Sequence, residues 1–375
     1  MAIFLTLAGI TIMFATLFAV RLVLSLGSMR PRLTKPLSSK DLPTVSVCIP
    51  ARNEKHAMTQ CLERVLASDY EKLEVVVFDD SSNDETSVLI RSFAHVGVRF
   101  VPGTELPGEW LGRNRALDIL AHEASGDYIV FMDVDTYITV NSITKLMSYM
   151  KTSSKSMISV IPSRQDVWRM SALFSPLRYF WQLILSRKTI PSASGALWIA
   201  DREKLLSFGG LARFKHEVQA ETKLAALFSS TYQCLVDAGL FGVSYEKKWS
   251  SQLETSRRLL YPTMRGWRAP LALVLLLTLN IPTVVLLSAF MTGWTSLQCV
   301  FGLILIAFMA LYSMYTHIVW RQNWWLGGLL WPIIIVQELV LFVWSVEGYM
   351  RRSITWKGRP IAAPITQTER LEIER

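Results

Sequence analysis

The sequence predicts an α/β domain on a mostly parallel sheet, with an apolar helix before it and apolar segments after it. Three observations predict this architecture. Short β-branched runs alternate with helix-like segments across residues 42–250. One apolar stretch lies near the N-terminus, and three more lie within residues 269–349. Among the 375 residues, 51% are hydrophobic and only 18% are charged, which favours a membrane protein.

The N-terminal stretch, residues 2–26, is apolar except for Arg21 and is long enough to span a bilayer. It predicts a transmembrane helix over residues 1–27. Arg30, Arg32, Lys35 and Lys40 follow it, so the positive-inside rule places the next domain in the cytoplasm. A cleaved signal peptide is the alternative, but the stretch lacks an early basic region and no A-x-A site follows it.

Residues 42–250 alternate between two patterns. Short apolar runs are typical of strands, and the segments between them place apolar residues on one helical face. This alternation indicates parallel strands with helices on both faces, and ligands bind such sheets at the carboxyl ends of the strands. The expected strands are 44–49, 73–78, 96–101 and 128–132, and the expected helices begin near Met58, Ser81 and Leu111.

Carboxylates follow two of these strands. Asp133 and Asp135 can present oxygens to Mg²⁺ or Mn²⁺, which neutralises a departing diphosphate. Asp79 and Asp80 can accept hydrogen bonds from a uracil NH and from ribose hydroxyls. Alone, each pair has an ordinary explanation as a solvated turn or a helix cap. Together at one edge of a sheet, their like charges need a cation or hydrogen-bond donors.

Two basic segments accompany the carboxylates. Arg52, Asn53 and Glu54 follow the first strand and suit a base or ribose contact, and a plain polar turn is the alternative. Arg113 follows a loop at 103–112 that contains Gly and Pro, where it can reach a phosphate. A solvated basic helix face is the alternative for Arg113.

Six stretches carry a further pattern when taken in order. They are PARNE at 50–54, DDS at 79–81, LPGEWLG at 106–112, DVD at 133–135, SG at 194–195 with GG at 209–210, and ITWKGR at 354–359. This set resembles family 2 glycosyltransferases of the Rossmann-like GT-A fold. It is most similar to membrane-bound members that glycosylate carotenoids, hopanoids or other lipids. The resemblance spans roughly residues 43–359.

The resemblance implies roles for the matched residues. It implies Mg²⁺ or Mn²⁺ at Asp133 and Asp135, and Gly195 on the acceptor or donor-phosphate side. The implied donor is a nucleotide sugar, with a UDP-sugar favoured, and the implied acceptor is a lipid or another membrane-associated hydroxyl. The implied nucleotide-sugar site consists of Pro50, Arg52, Glu54, Asp79, Asp80, Arg113 and Asp133.

The expected catalytic base departs from the family pattern. Relatives carry an acidic pair before a Leu-Ala helix, whereas here Ala220 and Glu221 occupy these positions. Glu221 is the predicted base, Glu217 is the second candidate, and a surface glutamate is the alternative. Arg113 stands where many relatives have lysine. The implied reaction is a single inverting displacement in which the carboxylate takes the acceptor's proton.

Residues 251–268 mix basic and aromatic side chains and predict a membrane-interface segment. Within it, Arg265 and Trp267 are a near match to an Arg-Trp motif of relatives, and Arg258 lies in the same segment. Anchoring is the favoured role, and a contact with the donor phosphate is the other. The aromatic stretch 168–181 suits an interface element, an acceptor wall or the core equally.

The three C-terminal apolar segments, 269–291, 297–318 and 326–346, present a topology problem. Three crossings would place the basic tail at 350–375 outside, against the positive-inside rule. The third segment contains Pro332, Gln337 and Glu338, and an ionisable residue there must face protein or water. The third segment is therefore expected to be re-entrant or to lie in the membrane interface, which keeps the tail cytoplasmic. With its other apolar segments crossing the bilayer, the chain is expected to be an integral protein of the cell membrane.

The net charge of +9 is carried largely beside apolar segments, which indicates lipid headgroups rather than nucleic acid. The four cysteines lack metal-binding spacing and are expected to be free thiols. A polysaccharide synthase is the alternative enzyme, although it usually has a Gln-x-x-Arg-Trp motif. A membrane scaffold that retains the fold without catalysis is the alternative outside enzymes.

Overall fold

The computed structural model describes residues 2–31, 37–108, 110–187, 190–264 and 269–361. These residues form two compact units that alternate along the chain. The helical unit comprises Met1–Arg30, Arg164–Ser186 and Lys247–Arg351. The sheet unit comprises Pro31–Ser163, Arg187–Glu246 and Arg352–Arg375. Residues 164–186, which lie inside the predicted 42–250 domain, thus belong to the helical unit.

The secondary structure alternates as expected up to residue 132. The helices are α1 (Ala2–Met29), α2 (Met58–Leu66), α3 (Thr86–Ser92), α4 (Gly112–Glu123), α5 (Ser142–Thr152), α6 (Met170–Leu173), α7 (Arg178–Leu185), α8 (Arg202–Ser207), α9 (Ala220–Phe228), α10 (Trp249–Thr263), α11 (Ala269–Thr292), α12 (Ser296–Val319) and α13 (Trp324–Met350). The strands are β1 (Val45–Ala51), β2 (Leu73–Asp79), β3 (Val98–Pro102), β4 (Tyr128–Met132), β5 (Thr136–Ile138), β6 (Met157–Ile161), β7 (Ser163–Arg164), β8 (Leu197–Asp201), β9 (Tyr232–Val236), β10 (Val243–Tyr245), β11 (Thr355–Trp356) and β12 (Arg359–Pro360).

The main sheet of the described chain has the strand order β3-β2-β1-β4-β8-β6-β9. Neighbours pair in parallel except β8, which is antiparallel to both β4 and β6. The predicted α/β class with a mostly parallel sheet is therefore confirmed. Two smaller sheets accompany it, one ordered β5-β10-β7 and the other formed by β11 and β12.

The central strands are buried on both faces, which explains their continuous apolar sequences. On β1, Val47 and Ile49 pack into one core cluster. Cys48, which points the other way, packs into a second cluster. Residues Val76 and Val77 on β2 divide between the same two clusters. Helices therefore cover the sheet on either side and leave the ends of its strands for chemistry.

Helix α3 begins later than the sequence predicts. The sequence offers residues 81–84 as N-caps for a helix through Phe93, but the helix starts at Thr86. Ser81 has a left-handed φ of 54°, and the Ser82 hydroxyl accepts from the Asn53 amide at 2.9 Å. The segment instead ties the end of β2 to the turn after β1. Asp84 supplies the local cap by accepting from the Thr86 amide at 3.0 Å.

Four helices in the described residues are long and apolar enough to cross a membrane: Leu5–Met29, Ala269–Ala289, Ser296–Val319 and Trp324–Met350. The last is α13, a continuous helix with Pro332 inside it. The prediction that this segment is re-entrant is therefore wrong. A re-entrant segment reverses its direction within the membrane, whereas α13 is one continuous helix. Pro332 lies only eight residues after the start of the helix, and proline in a long apolar helix is tolerated.

The helical unit packs around aromatic rings. Phe18 of α1 makes edge contacts with Phe180 and Trp181 of α7 and with Phe308 of α12. Phe308 stacks on Trp331 of α13 with ring centroids 5.7 Å apart. Residues 168–181 have three candidate roles: an interface element, an acceptor wall or part of the core. The residues of this stretch that lie in α7 are part of the core, because they pack against the long apolar helices.

Glu338 on α13 is fully buried and faces protein, as expected for an ionisable residue in an apolar helix. Its two carboxylate oxygens accept from the Leu177 amide and the Trp181 indole, each at 2.8 Å. Helix α10 covers most of the predicted interface segment. Its Arg257 and Arg258 carbonyls accept from Ser345 at 2.6 Å and Tyr349 at 2.7 Å on α13.

The four cysteines are free, as the sequence predicts. Cys48, Cys61 and Cys234 are buried, whereas Cys299 is exposed.

Candidate active site

The predicted site residues of the sheet unit gather where β1, β2 and β4 end. In the register of β1 and β2, Ala51 lies opposite Asp79, and the Asp80 amide donates to the Ala51 carbonyl at 2.8 Å. Pro50 precedes Ala51 within β1. Because β1 lies between β2 and β4, the turns after these strands are neighbours. Side chains from distant sequence positions therefore share one crevice.

The two aspartates after β2 have different environments. Asp79 is buried, and its carboxylate accepts hydrogen bonds from the Ser82 and Ser87 hydroxyls. Asp80 is also buried, but its Oδ2 has no hydrogen-bond partner among the described atoms. Asp79 is thus occupied in shaping the turn, whereas Asp80 retains a free acceptor that a ligand hydroxyl or NH can satisfy.

Burial raises the pKa of Asp80 to about 6, against the opposing effects of Arg359 and Arg52. Asp79 adds to the increase through like charge. Arg52 donates to the Asp80 and Ser81 carbonyls, and its Nη1 lies 3.9 Å from Asp80 Oδ2. Asp80 is therefore ionised at neutral pH but becomes protonated in mild acid.

Glu54 lies in the turn after β1. Its amide donates to the Thr86 hydroxyl at 2.8 Å, and its Oε1 pairs with Lys357 Nζ at 2.9 Å. Burial raises the pKa of Glu54, and Lys357 opposes this. Repulsion from the negative charges of Asp135 and Asp133 raises the pKa of Glu54 further, by a smaller amount than burial does. Glu54 is thus electrostatically coupled to both candidate metal ligands.

Arg113 links the residues of the predicted catalytic centre. Its Nη2 contacts Asp133 Oδ1 at 3.1 Å and donates to the Gly195 carbonyl at 2.8 Å. Its Nη1 lies 3.4 Å from Glu221 Oε2. The pKa of Arg113 is raised because Asp133 and Glu221 together outweigh the burial of the guanidinium, which acts in the opposite direction. The structure therefore brings three predicted site residues, Asp133, Gly195 and Glu221, together around the Arg113 guanidinium.

Gly195 is required by the close approach of Glu221. A Cβ at position 195 would lie 2.5 Å from Glu221 Oε1 and 3.0 Å from Arg113 Nη2. Glu221 is only 5% exposed and lies in the first turn of α9. A surface glutamate does not fit this environment.

Glu217 has a different setting. Its side chain is 40% exposed, and its Oε1 lies 3.4 Å from Lys223 Nζ. The Glu217 backbone, however, is held close to α4. The buried Asn114 amide donates to the carbonyls of Phe214, Lys215 and Glu217. Asn114 therefore fixes the loop that precedes α9, while its neighbour Arg113 contacts the Glu221 side chain on that helix.

The residues after β4 fit a divalent cation that is shared with a ligand. Asp133 is 34% exposed at its side chain, and Asp135 is partly buried. Within the described ranges, no cluster of three or more His, Cys, Asp or Glu side chains forms a complete metal site. Mg²⁺ is commonly held by one or two carboxylates plus substrate phosphates. Asp133 and Asp135 suit that arrangement.

Three predicted residues are not placed in this crevice. Arg258 lies on α10 in the helical unit. Arg265 and Trp267 lie outside the described residues, so their predicted phosphate contact stays a prediction. Conversely, the sequence interpretation gave no role to Asn114, Lys357 or Arg359. Asn114 could have been recognised from the sequence, because it is a polar residue at a position of α4 that faces the sheet.

Comparisons with known proteins match part of this chain to a described family. Residues 46–206 match the family described as "Glycosyl transferase family 2". A curated relative from Escherichia coli, "UDP-Glc:alpha-D-GlcNAc-diphosphoundecaprenol beta-1,3-glucosyltransferase WfaP", is 32% identical over 108 residues, which are 29% of this chain and 41% of the relative. The "4,4'-diaponeurosporenoate glycosyltransferase" of Staphylococcus aureus is 26% identical over 175 residues, which are 44% of this chain and 46% of the relative.

The chain spans less than half the length of these curated relatives. Among solved structures, it is similar to "Mannosyltransferase PcManGT from Pyrobaculum calidifontis in complex with GDP-Man and Mn2+". That likeness has a TM-score of 0.54 at 19% identity and covers 90% of this chain and 98% of the other. The sequence match and the shared fold agree with the resemblance found in the six motifs. Residues 46–206 therefore match a glycosyl transferase family 2 domain, and the chain has the GT-A fold.

Proposed function

We propose that this protein is a membrane glycosyltransferase that moves a hexose from a nucleotide sugar, with a UDP-sugar favoured, to a hydroxyl of a lipid or membrane-associated acceptor. The cluster of Arg113, Asp133, Gly195 and Glu221 carries the proposal. It combines a candidate metal ligand and a candidate base in one crevice at the carboxyl ends of the strands, where ligands bind such sheets.

The residues have distinct proposed roles. Asp80 accepts from the nucleoside, with its buried, unpartnered Oδ2 as the acceptor. Glu221 takes the proton of the acceptor hydroxyl as that oxygen attacks the anomeric carbon, and the bond to the diphosphate breaks with inversion. Mg²⁺ or Mn²⁺ at Asp133 and Asp135 would supply positive charge for the departing nucleoside diphosphate. Arg113 holds Glu221 next to the metal ligands and presents a cation to the phosphates.

The acceptor proposal rests on the membrane character of the chain. Four helices among the described residues are long and apolar enough to cross a bilayer. One similar protein is named for an acceptor linked to diphosphoundecaprenol. An acceptor of this kind presents its hydroxyl at the membrane surface, which suits an enzyme that is held there.

The deciding experiment measures sugar transfer by the purified protein in lipid vesicles with Mn²⁺ or Mg²⁺. The donors are a panel of UDP- and GDP-sugars, and mass spectrometry identifies the lipid product. Metal-dependent turnover of one donor, abolished in the Asp133→Ala, Asp135→Ala double variant, is the expected result. A polymeric product would instead indicate a polysaccharide synthase. Absence of both turnover and metal-dependent nucleotide binding would favour the scaffold interpretation.

Donor affinity is expected to decline in mild acid. Asp80 is a stronger hydrogen-bond acceptor when it is ionised, so donor affinity should be constant above pH 7 and fall as the pH drops through about 6. Binding of a UDP-sugar should be measured by calorimetry from pH 5 to 8, because its diphosphate diester does not titrate in this range. The Asp80→Asn variant should bind weakly at every pH. A wild-type affinity that stays constant down to pH 5 would contradict this role for Asp80.

We further propose that α13 lies in the membrane interface and does not complete a crossing. Residues 352–361 belong to the sheet unit, and Lys357 pairs with Glu54 there. The tail therefore lies on the same side of the membrane as the catalytic residues. The chain between Met264 and Arg352 must then cross an even number of times, and α11 and α12 supply two crossings. With the basic tail inside, that side is the cytoplasm.

Cysteine labelling tests this topology. In a Cys299→Ser background, cysteines are introduced at Thr295, between α11 and α12, and at Gln322, between α12 and α13. Cys48, Cys61 and Cys234 are buried, so they should not react with the reagent. An impermeant reagent should label position 322 from the side of the catalytic unit and position 295 from the opposite side. Labelling of position 322 from the opposite side would contradict the interfacial placement of α13.

A further inference from the structure

The chain re-enters the sheet unit after its last apolar helix and forms a small hairpin, residues 354–361. Strands β11 and β12 pair within it, and the Ile361 amide donates to the Ile354 carbonyl at 2.9 Å. Both isoleucines are buried, which anchors the base of the hairpin. The turn at Lys357 and Gly358 has left-handed φ angles of 48° and 79°. This turn directs its cationic residues at the predicted donor site.

Three contacts join the hairpin to the turns after β1 and β2. Lys357 Nζ lies 2.9 Å from Glu54 Oε1, and the Lys357 carbonyl accepts from Arg52 Nε at 3.2 Å. Arg359 Nη2 lies 3.1 Å from Asp80 Oδ1. Every partner of the hairpin in these contacts is a residue that the sequence assigns to the nucleotide. The hairpin therefore contributes to the nucleotide end of the crevice.

Charge explains why such a contribution is needed. The nucleotide end contains three carboxylates, those of Glu54, Asp79 and Asp80, and the diphosphate of a nucleotide sugar would add two more negative charges. In the turns after β1 and β2, Arg52 is the cation that faces Asp80. Lys357 and Arg359 bring two further positive charges to the same place. An anionic ligand gains from cations that are already fixed near its site.

Arg359 also has unused hydrogen-bonding capacity. Its Nη2 is engaged by Asp80, but its Nη1 is buried and has no hydrogen-bond partner among the described atoms. The side chain is 18% exposed, so a ligand in the crevice can reach it. A guanidinium presents a planar fork of donors that matches phosphate oxygens. One edge of this fork is thus held by protein, and the other edge is buried without a hydrogen-bond partner among the described atoms.

We propose that Lys357 and Arg359 bind the phosphates of the donor, so that the hairpin after the last membrane helix completes the nucleotide site. This proposal rests on the proposed function. It assigns the two residues to donor binding and not to the displacement itself. Because binding is reciprocal, the bound nucleotide also holds the hairpin in place.

The test compares nucleotide binding by full-length variants in lipid nanodiscs with Mn²⁺. Arg359→Gln and Lys357→Gln each remove one cation of the hairpin. Arg352 is exposed, and Arg352→Gln is the matched control because it makes the same change in charge. Calorimetry with UDP and GDP should show about tenfold weaker binding for each hairpin variant, since one charge-assisted contact is lost. Arg352→Gln should bind like the wild type, and Arg359→Lys should recover part of the loss.

Binding of uridine separates a phosphate contact from a structural effect. Uridine lacks the phosphates, so its affinity should be the same in Arg359→Gln as in the wild type. An equal loss for uridine and UDP would overturn the proposal, because it would indicate that the hairpin only shapes the site. Tighter UDP binding in the variants would also overturn it, since the hairpin would then block the site.

The outcomes for the hairpin and for the transferase are distinguishable. If the wild type binds UDP or GDP with Mn²⁺ and the hairpin variants bind equally well, the hairpin proposal fails alone. If the wild type binds neither nucleotide, the proposed function fails together with it. Hydrogen exchange of the hairpin amides should be slower in the presence of UDP than in its absence. This measurement does not depend on turnover.

Discussion

Replacing Glu221 by glutamine is expected to lower kcat by about 100- to 10,000-fold, the usual contribution of a general base. Glutamine keeps the volume beside Gly195 and retains an oxygen for Arg113, so the change removes the proton acceptor and little else. Single-turnover transfer with saturating donor and metal measures the effect. Nucleotide affinity should stay within about twofold, because Glu221 is proposed to act on the acceptor.

Glu217→Gln is the matched control for this prediction. It removes the same charge four residues away, from a side chain that is 40% exposed and pairs with Lys223. Its turnover should match that of the wild type. A fully active Glu221→Gln enzyme together with an inactive Glu217→Gln enzyme would transfer the role of base to Glu217, and the buried cluster around Arg113 would then be structural.

Replacing Arg113 by methionine is expected to reduce both stability and activity. The change leaves Glu221, with 7% of its side chain exposed, without its cation. Loss of one partner from a buried ion pair typically costs about 3 kcal/mol or more, which lowers the Tm by roughly 6–12 °C in a domain of this size. We expect kcat/KM to fall at least about 100-fold, because a phosphate contact and the position of the base are lost together.

Mn²⁺ provides an independent readout for Arg113. In the wild type, the metal must compete with the guanidinium for Asp133, whereas the methionine variant removes that competitor. Mn²⁺ should therefore raise the Tm of Arg113→Met more than that of the wild type, as measured by scanning fluorimetry. Arg113→Lys keeps the charge and should remain within about tenfold of wild-type activity. Equal Mn²⁺ stabilisation of wild type and Arg113→Met would contradict the shared use of Asp133.

The strands up to residue 132 could be predicted because their signal is local. Each is an apolar run closed by polar residues, and β4 has the bounds that its sequence indicates. The direction of β8 could not be predicted in this way. Its sequence, Leu197–Asp201, is as apolar as that of a parallel strand. Strand direction depends on how the chain returns to the sheet, and local periodicity does not record that.

The site was predictable to a similar extent. Asp80 and Asp133 follow recognisable strands, so their convergence follows from parallel pairing. The preference for Glu221 over Glu217 rested on resemblance alone, and the difference in their burial emerged only with the contacts of Arg113. The positions of Lys357 and Arg359 depend on contacts across about 300 residues of sequence. No local pattern specifies such contacts.

The pairing of Glu54 with Lys357 also has a consequence for the order of synthesis. The two residues are 303 positions apart, and α11, α12 and α13 are translated between them. A ribosome therefore makes the strands of the sheet unit well before it makes the hairpin that joins their ends, and domains tend to fold as they emerge. A nascent chain has its DxD aspartates early, yet it gains Lys357 and Arg359 only once the apolar helices have left the ribosome. If Lys357 and Arg359 bind the donor phosphates as proposed, full donor affinity is reserved for chains whose membrane segments have already been made.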